Sequence, residues 1–215
     1  AKALIDGAGP IAAPSANIST MPSITDSKDA IRFLTGRVDA IIDAGKTNFG
    51  IESTILNLNT NPIELLRAGS YEVEELEKFF GRIIISDIAR GFGQAEIAIT
   101  PGMKYRHYSP KKKLYLAASR ESFIEMVKVM PENFIALCTD ETLQYVKGKS
   151  IILGRESSPY EIASNLFSAF MKLDDSDGKY GIIVPFPENG IGLAIMNRIR
   201  KASYRTIKNI EQADL

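Results

Sequence analysis

The sequence has little of what builds disulfides, metal clusters or membrane spans. Its 215 residues include one cysteine, one histidine and no tryptophan. The lone Cys138 excludes an intramolecular disulfide and a cysteine-based metal cluster, and a single thiol in an apolar stretch favours a core position and a reducing compartment. No apolar segment approaches the length that crosses a bilayer. We therefore expect a cytoplasmic protein without a membrane partner.

The chain also lacks a net charge that would attract a polyanion. Its 26 basic and 26 acidic residues cancel at pH 7. This balance argues against a whole-surface attraction to nucleic acid or anionic lipid, so any such interface must be a local basic patch. A hydrophobic share of 45% is typical of a globular protein, and the length suffices for one large domain or two small ones.

Apolar periodicity alternates between strand and helix patterns, which predicts the α/β class. Residues 1–88 form the first strand and helix series. Residues 89–112 are rich in glycine, proline and basic residues and are predicted to be a linker. Residues 113–215 form a second series, which predicts a small Rossmann-like or flavodoxin-like domain with a mainly parallel sheet. It has no convincing G-x-G-x-x-G motif, so no dinucleotide is indicated.

Local signals in the first series predict its elements. Residues 1–5 read as the end of a helix, so we expect the chain to begin inside a domain. Asp26 or Thr25 is a predicted N-cap of a helix that ends near Gly36. Short strands are predicted over residues 10–15 and 38–45.

Four short polar motifs stand out, and each alone is a weak signal. They are "APSANIST" with Pro22 and Ser23, "GIESTI" at 50–55, "LLRAG" at 65–69 and "PGMKYRHYSP" at 101–110. Serine and asparagine are common where a strand gives way to a turn, and a lone arginine at a strand end is usually solvated. The order and spacing of all four motifs are more specific than any one of them.

Together the motifs resemble the YrdC-like family of L-threonylcarbamoyladenylate synthases, and more closely its long, two-domain branch. The family pattern A-P-S-A-N-x-S-G-x-P-S is matched from Ala13 to Ser23, except that Thr20 replaces a glycine. The linker signature is matched with Thr100 in place of its first serine. The resemblance covers about the first 112 residues and, more loosely, the second series through "GIGLAIMNRIRKA". The family's basic, phosphate-binding N-terminal segment is not in this chain.

The resemblance implies an enzyme that converts L-threonine, bicarbonate and ATP into threonylcarbamoyl-AMP and pyrophosphate, for the modification of adenosine in tRNA. This chemistry needs reactants held in line, phosphate charge neutralised and water kept from an unstable carbamate. It implies no catalytic side chain and no metal bound by the protein, since Mg²⁺ accompanies ATP. The expected partners are ATP, L-threonine and bicarbonate, with tRNA or tRNA-modification proteins as further candidates, and we expect a monomer.

The resemblance also implies which residues bind the substrates. ATP is assigned to Ser15, Ser23, Arg67, Arg106 and His107, threonine is assigned to Ser53 and the backbone of Ala13, and Asn17 is assigned to ordering the loop. Hydroxyl and backbone groups both donate and accept, so they suit a zwitterion and phosphate oxygens without adding repulsive charge. Arginine adds a fixed fork of donors for phosphate. A plain surface or packing role is the alternative for His107.

Other interpretations of the linker and the second domain stay open. Basic residues interleaved with Tyr105 and Tyr108 over residues 104–113 are typical of nucleic-acid contacts, so an RNA-binding module without catalysis is the alternative function. The second domain also fits a purely regulatory or interaction role. For the enzyme, the length and composition of the linker predict a lid that closes over the nucleotide pocket.

Overall fold

The computed structural model describes residues 1–18, 23–93 and 109–213, and these fold around two β-sheets. We call residues 1–93 the first unit, which contains a three-stranded sheet, and residues 109–213 the second unit, which contains a five-stranded sheet. Helices pack against both sheets, which confirms the predicted α/β class. Within the described ranges, no helix is long and apolar enough to cross a bilayer.

The first unit consists of short helices and short strands. They are α1 (Lys2–Ala8), α2 (Ser27–Leu34), β1 (Ile55–Asn57), β2 (Ile63–Arg67), α3 (Val73–Phe80), β3 (Ile83–Ile85) and α4 (Asp87–Arg90). The Asp26 side chain caps α2 as predicted, accepting a hydrogen bond from the Lys28 N–H at 2.9 Å. β2 is the central strand, antiparallel to β1 and parallel to β3.

Two strands predicted in the first unit are wrong, because neither segment is in a ladder. Residues 10–15 and 38–45 contain no strand, and Val38 and Ile42 are 45% and 72% exposed. A high strand propensity means that a residue fits a half-buried pleated surface. In the part of the chain that the structure describes, these two segments have no neighbouring strand and lie largely exposed, so the propensity of their residues did not lead to a strand. The strand β3 was not predicted, yet it pairs with β2 over three residues.

The second unit is a parallel α/β sheet, as predicted. Its elements are β4 (Lys113–Ala117), α5 (Arg120–Val129), β5 (Phe134–Cys138), α6 (Asp140–Leu143), β6 (Lys149–Ile152), α7 (Pro159–Asp175), β7 (Tyr180–Ile183), α8 (Gly192–Ala202) and β8 (Arg205–Ile207). The strand order is β6-β5-β7-β4-β8, and every pair is parallel. The predicted boundaries at residues 88 and 112 stay a prediction.

The main core of the molecule lies in the second unit. β5 is buried along its whole length and β4 everywhere except Lys113, which is the continuous apolar pattern of strands covered on both faces. Cys138 lies in this core, as predicted. Burial, with a smaller effect from the charge of Asp140, raises the pKa of its thiol to about 11, so the thiol stays protonated at neutral pH.

The two units pack closely through α7 and α8. The Asn197 side chain on α8 donates to the carbonyl oxygens of Ile88 and Ala89 at 3.2 and 2.8 Å. Gly50 has a φ of +67°, and a Cβ there would lie 2.3 Å from the Cα of Ser164 on α7. A larger residue at position 50 would therefore have to push the units apart.

Candidate functional site

The "ESTI" and "RAG" motifs meet where β1 begins and β2 ends. The register of β1 and β2 places Ile55 opposite Arg67, with an irregularity after Ile55. The Arg67 side chain donates from Nε to the Ser53 carbonyl and from Nη2 to the Ser53 hydroxyl, both at 3.0 Å. A Cβ at Gly69 would lie 2.3 Å from the Ser53 carbonyl carbon, so the close approach of the two motifs requires glycine there.

A cavity of about 530 Å³ opens beside the "ESTI" motif. Its lining is formed by Ser23, Ile24, Thr25, Ala44, Lys46, Thr47, Asn48, Phe49, Gly50, Ile51 and Glu52. The hydroxyl oxygens of Ser23 and Thr25 are buried here, and they have no hydrogen-bond partner in the described part of the chain. Buried hydroxyls normally find a partner, so these two mark the cavity as a place where a polar ligand or water binds.

The other predicted site residues lie in less regular surroundings. Ala13 and Ser15 are exposed in a segment without helix or strand, and Asn17 is half-buried, with its Nδ2 donating to the Ile18 carbonyl at 3.2 Å. Over the ranges that the structure describes, no hydrogen bond joins Ala13 or Ser15 to Ser53 or Arg67. Arg106, His107 and the rest of segment 94–108 lie outside the described residues, so their assignments stay predictions.

A buried ion pair that was not predicted from the sequence joins this site to the second unit. Arg198 on α8 donates from Nε to Glu52 Oε2 at 2.7 Å, and its Nη2 lies 2.7 Å from the same oxygen. The two side chains are only 4% and 17% exposed. Burial raises the pKa of the Glu52 carboxyl, but the Arg198 charge and local hydrogen bonds outweigh burial and hold the pKa below its ordinary value.

Lys201 on α8 is a third cation near the Glu52 carboxylate, besides Arg198 and Arg67. Burial, together with the charges of Arg198 and Arg67, lowers the pKa of Lys201 to about 8, and the Glu52 charge only partly opposes them. Arg67, Arg198 and Lys201 therefore outnumber Glu52 where the units meet. An electropositive corner of this kind attracts phosphate and carboxylate groups. The sequence signals for this corner are the "LLRAG" motif, which contains Arg67, and the spacing of Arg198 and Lys201, three positions apart on one helix face.

The last residues of the basic run over 104–113 have a structural role. The ammonium of Lys112 donates to the carbonyl oxygens of Leu173 and Ser176, at the end of α7. The backbone N–H groups of Lys111 and Lys112 donate to the Asp174 carboxylate, both at 3.0 Å. Lys112 is thus held as a cap of α7, which weakens its interpretation as a nucleic-acid contact. Among the described residues, no group of three His, Cys, Asp or Glu side chains is placed to hold a metal.

Comparison with known families matches both units of the chain. The model of the family described as threonylcarbamoyl-AMP synthase, C-terminal domain, matches residues 71–203. A second model, described as telomere recombination, matches residues 1–69.

Similar proteins include three curated threonylcarbamoyl-AMP synthases. The protein from Pyrococcus abyssi is 38% identical over 205 residues, covering 93% of this chain and 59% of the relative. The protein from Bacillus subtilis is 36% identical over 214 residues, covering 94% and 60%. The protein from Schizosaccharomyces pombe is 33% identical over 218 residues, covering 90% and 52%. The chain therefore spans little more than half the length of these relatives.

The fold is also shared with solved structures. The crystal structure of Pyrococcus abyssi Sua5 complexed with L-threonine superposes with a TM-score of 0.80 at 37% identity, covering 92% of this chain and 59% of that one. A double variant of the same protein gives a TM-score of 0.79 at 35% identity, covering 92% and 58%.

Proposed function

The chain belongs to the threonylcarbamoyl-AMP synthase family, and from this we propose that its protein makes threonylcarbamoyl-AMP from L-threonine, bicarbonate and ATP. The product serves the threonylcarbamoyl modification of adenosine in tRNA, and pyrophosphate is released. The observation that carries the proposal is the likeness, over nearly the whole chain, to a relative solved with L-threonine.

The reaction needs two bond-forming steps. The threonine amine first captures the bicarbonate carbon as a carbamate, with loss of water. A carbamate oxygen then attacks the α-phosphorus of ATP, and the bond to the β-phosphate oxygen breaks to release pyrophosphate. Neither step requires a covalent enzyme intermediate, so the protein contributes alignment, charge neutralisation and exclusion of water.

The contact between Ser53 and Arg67 suits a site shared by the two substrates. The Ser53 hydroxyl accepts from Arg67 at 3.0 Å, so its own proton is directed to another acceptor, such as the carboxylate or hydroxyl of threonine. Arg67 places a permanent positive charge next to that hydroxyl. We assign Ser53 to threonine and Arg67 to a phosphate of ATP, which places the carbamate near the α-phosphorus.

The remaining assignments follow the same logic. Ser23 lines the cavity with a buried hydroxyl that suits a phosphate or ribose oxygen. Ser15, Arg106 and His107 would complete the ATP contacts, while Ala13 would bind threonine through its backbone and Asn17 would order the loop. The described residues offer no carboxylate cluster for Mg²⁺. We therefore propose that the ion enters on the phosphates of ATP and lowers their charge there.

The test is pyrophosphate release by the full-length protein, with each substrate omitted in turn. We expect release only when ATP, L-threonine and bicarbonate are all present. Equal release without threonine or without bicarbonate would reject the reaction. Binding of RNA that weakens steeply with salt, together with no binding of ATP, would instead support a non-catalytic RNA-binding module.

A further inference from the structure

A second cavity lies in the second unit and is lined by residues other than Ser53 and Arg67. It has a volume of about 380 Å³ and is lined by Arg120, Glu156, Pro159, Ile162, Pro185, Phe186, Pro187, Asn189, Gly192 and Ile195. This volume is in the range of small-molecule sites. Among the described residues, none that we assign to the synthase substrates lines this cavity.

The cavity lies where the topology of a parallel sheet places ligands. β4 and β7 are neighbours, but β4 leads through α5 to β5 on one side, and β7 leads through α8 to β8 on the other. Because crossovers are right-handed, these two helices cover opposite faces of the sheet. A crevice then opens at the carboxyl ends of the two strands, which is where open α/β sheets bind ligands. Arg120 follows β4 and Pro185 follows β7, so both line this crevice.

One pair of opposite charges lies at the mouth of the cavity. The Arg120 guanidinium donates from Nε and Nη2 to Glu156 Oε1 at 3.2 and 3.1 Å, and the Thr139 hydroxyl donates to the same oxygen at 3.1 Å. Within the described ranges, no hydrogen bond reaches Glu156 Oε2. The side chains of Arg120 and Glu156 are 42% and 39% exposed. The mouth thus offers a cationic donor and an anionic acceptor side by side.

The charge balance selects the class of ligand. A nucleotide or another polyanion needs an excess of cations, whereas the charges among the lining residues cancel. A zwitterion satisfies both charged groups without leaving either unpaired. Behind them, Ile162, Ile195 and Phe186 form an apolar wall that suits a hydrocarbon side chain.

From this juxtaposition we propose that the cavity binds a free α-amino acid with a large apolar side chain. Its carboxylate lies at Arg120, its ammonium lies at Glu156 Oε2, and its side chain lies against Ile162, Ile195 and Phe186. The proposal concerns binding alone and does not depend on the proposed synthase activity.

Contacts with the first unit hold the rim of the cavity in place. The backbone N–H of Gly190, next to the lining residue Asn189, donates to Glu74 at 3.1 Å. The Tyr160 hydroxyl, next to the lining residue Pro159, donates to Glu72 at 2.8 Å. Because the rim is already fixed, the protein loses less conformational entropy when a small ligand binds in the cavity.

The test is calorimetry on the full-length protein with L-leucine and L-phenylalanine as probes. We expect saturable binding that weakens about tenfold or more in Arg120→Gln and in Glu156→Gln, because each change removes one charge-assisted contact. The matched control is Arg155→Gln. It removes a neighbouring exposed arginine, 3.9 Å from Glu161 and outside the lining, and should leave binding unchanged.

Two analogues of phenylalanine separate the two charged contacts. Phenylalaninamide lacks the carboxylate and 3-phenylpropanoate lacks the ammonium, and each should bind more weakly than the amino acid. The Ser53→Ala variant should bind the probes as the wild type does. No saturable binding of either amino acid at millimolar concentration, tighter binding of AMP, or unchanged affinity in both charge variants would overturn the proposal.

Discussion

Replacing Arg198 by methionine removes the cation from the buried Glu52 carboxylate. The two side chains are 4% and 17% exposed, with 2.7 Å between Arg198 Nε and Glu52 Oε2. Removing one partner of such a pair leaves the buried charge without its ion-pair partner, which typically costs about 3–5 kcal/mol. The charges of Arg67 and Lys201 near Glu52 place the expected cost toward the lower end of this range. We therefore expect the free energy of unfolding to fall by about this amount at pH 7.

The same variant should change how stability depends on pH. In the wild type, the pKa of Glu52 is below its ordinary 4.5, so the stabilisation is present at neutral pH and is lost as the pH falls through the folded-state value. Without Arg198 the largest effect that opposes burial is lost, so the pKa of Glu52 rises. Protonation then relieves the buried charge, so the loss of stability in Arg198→Met should be smaller at pH 5 than at pH 7.

Urea unfolding followed by far-ultraviolet circular dichroism measures this effect in a chain without tryptophan. The control is Arg32→Met, which breaks another ion pair between the units, but one whose side chains are 52% and 50% exposed. Arg32→Met should change the free energy of unfolding little, because exposed ion pairs contribute little to stability. The double variant Glu52→Gln/Arg198→Met should be more stable than Arg198→Met alone. A loss in Arg198→Met no larger than that of the control, or a double variant less stable than either single one, would refute the reasoning.

Further predictions concern the proposed substrate contacts. Arg67→Ala should weaken ATP binding about tenfold to a hundredfold in calorimetry, and unaltered affinity would reject that contact. Ser53→Ala should weaken the binding of threonine. A variant that weakened only the binding of ATP would contradict the assignment of Ser53 to threonine. ATP affinity should decline as the pH rises through about 8, where Lys201 loses its charge. Lys201→Arg should make ATP affinity less dependent on pH. An equal pH dependence in both proteins would exclude a contribution of the Lys201 charge to ATP binding. ATP with threonine should slow protease cleavage after Lys104 and Arg106, and equal rates with and without ligands would make the linker a passive tether.

The second unit was the easier part to predict from sequence. Parallel strands covered on both faces read as continuous apolar runs, as in Phe134–Cys138, and the intervening helices carry regular apolar faces. The first unit was harder, because short apolar runs such as residues 38–45 look like strands whether or not a neighbour pairs with them. Ile83–Ile85, a run of three β-branched residues that was not predicted as a strand, pairs with β2.

In the candidate site, too, the sequence indicated individual residues but not the contacts between residues far apart in the chain. The motifs predict that Ser53 and Arg67 bind substrates, but the contact between the two side chains depends on the register between β1 and β2. Glu52 and Arg198 are 146 positions apart, and a single sequence carries no signal for a pair so distant. The same holds for the charged pair Arg120 and Glu156, which only the folded sheet brings to one cavity.

The fate of the bicarbonate carbon decides whether the protein is a synthase of this kind. The full-length protein is incubated with ATP, L-threonine and ¹³C-bicarbonate, and the nucleotide products are analysed by carbon nuclear magnetic resonance and mass spectrometry. We predict a product that contains threonine, AMP and the labelled carbon, formed in equal amount with pyrophosphate. Pyrophosphate release without labelled carbon in a threonine-containing nucleotide would contradict this prediction.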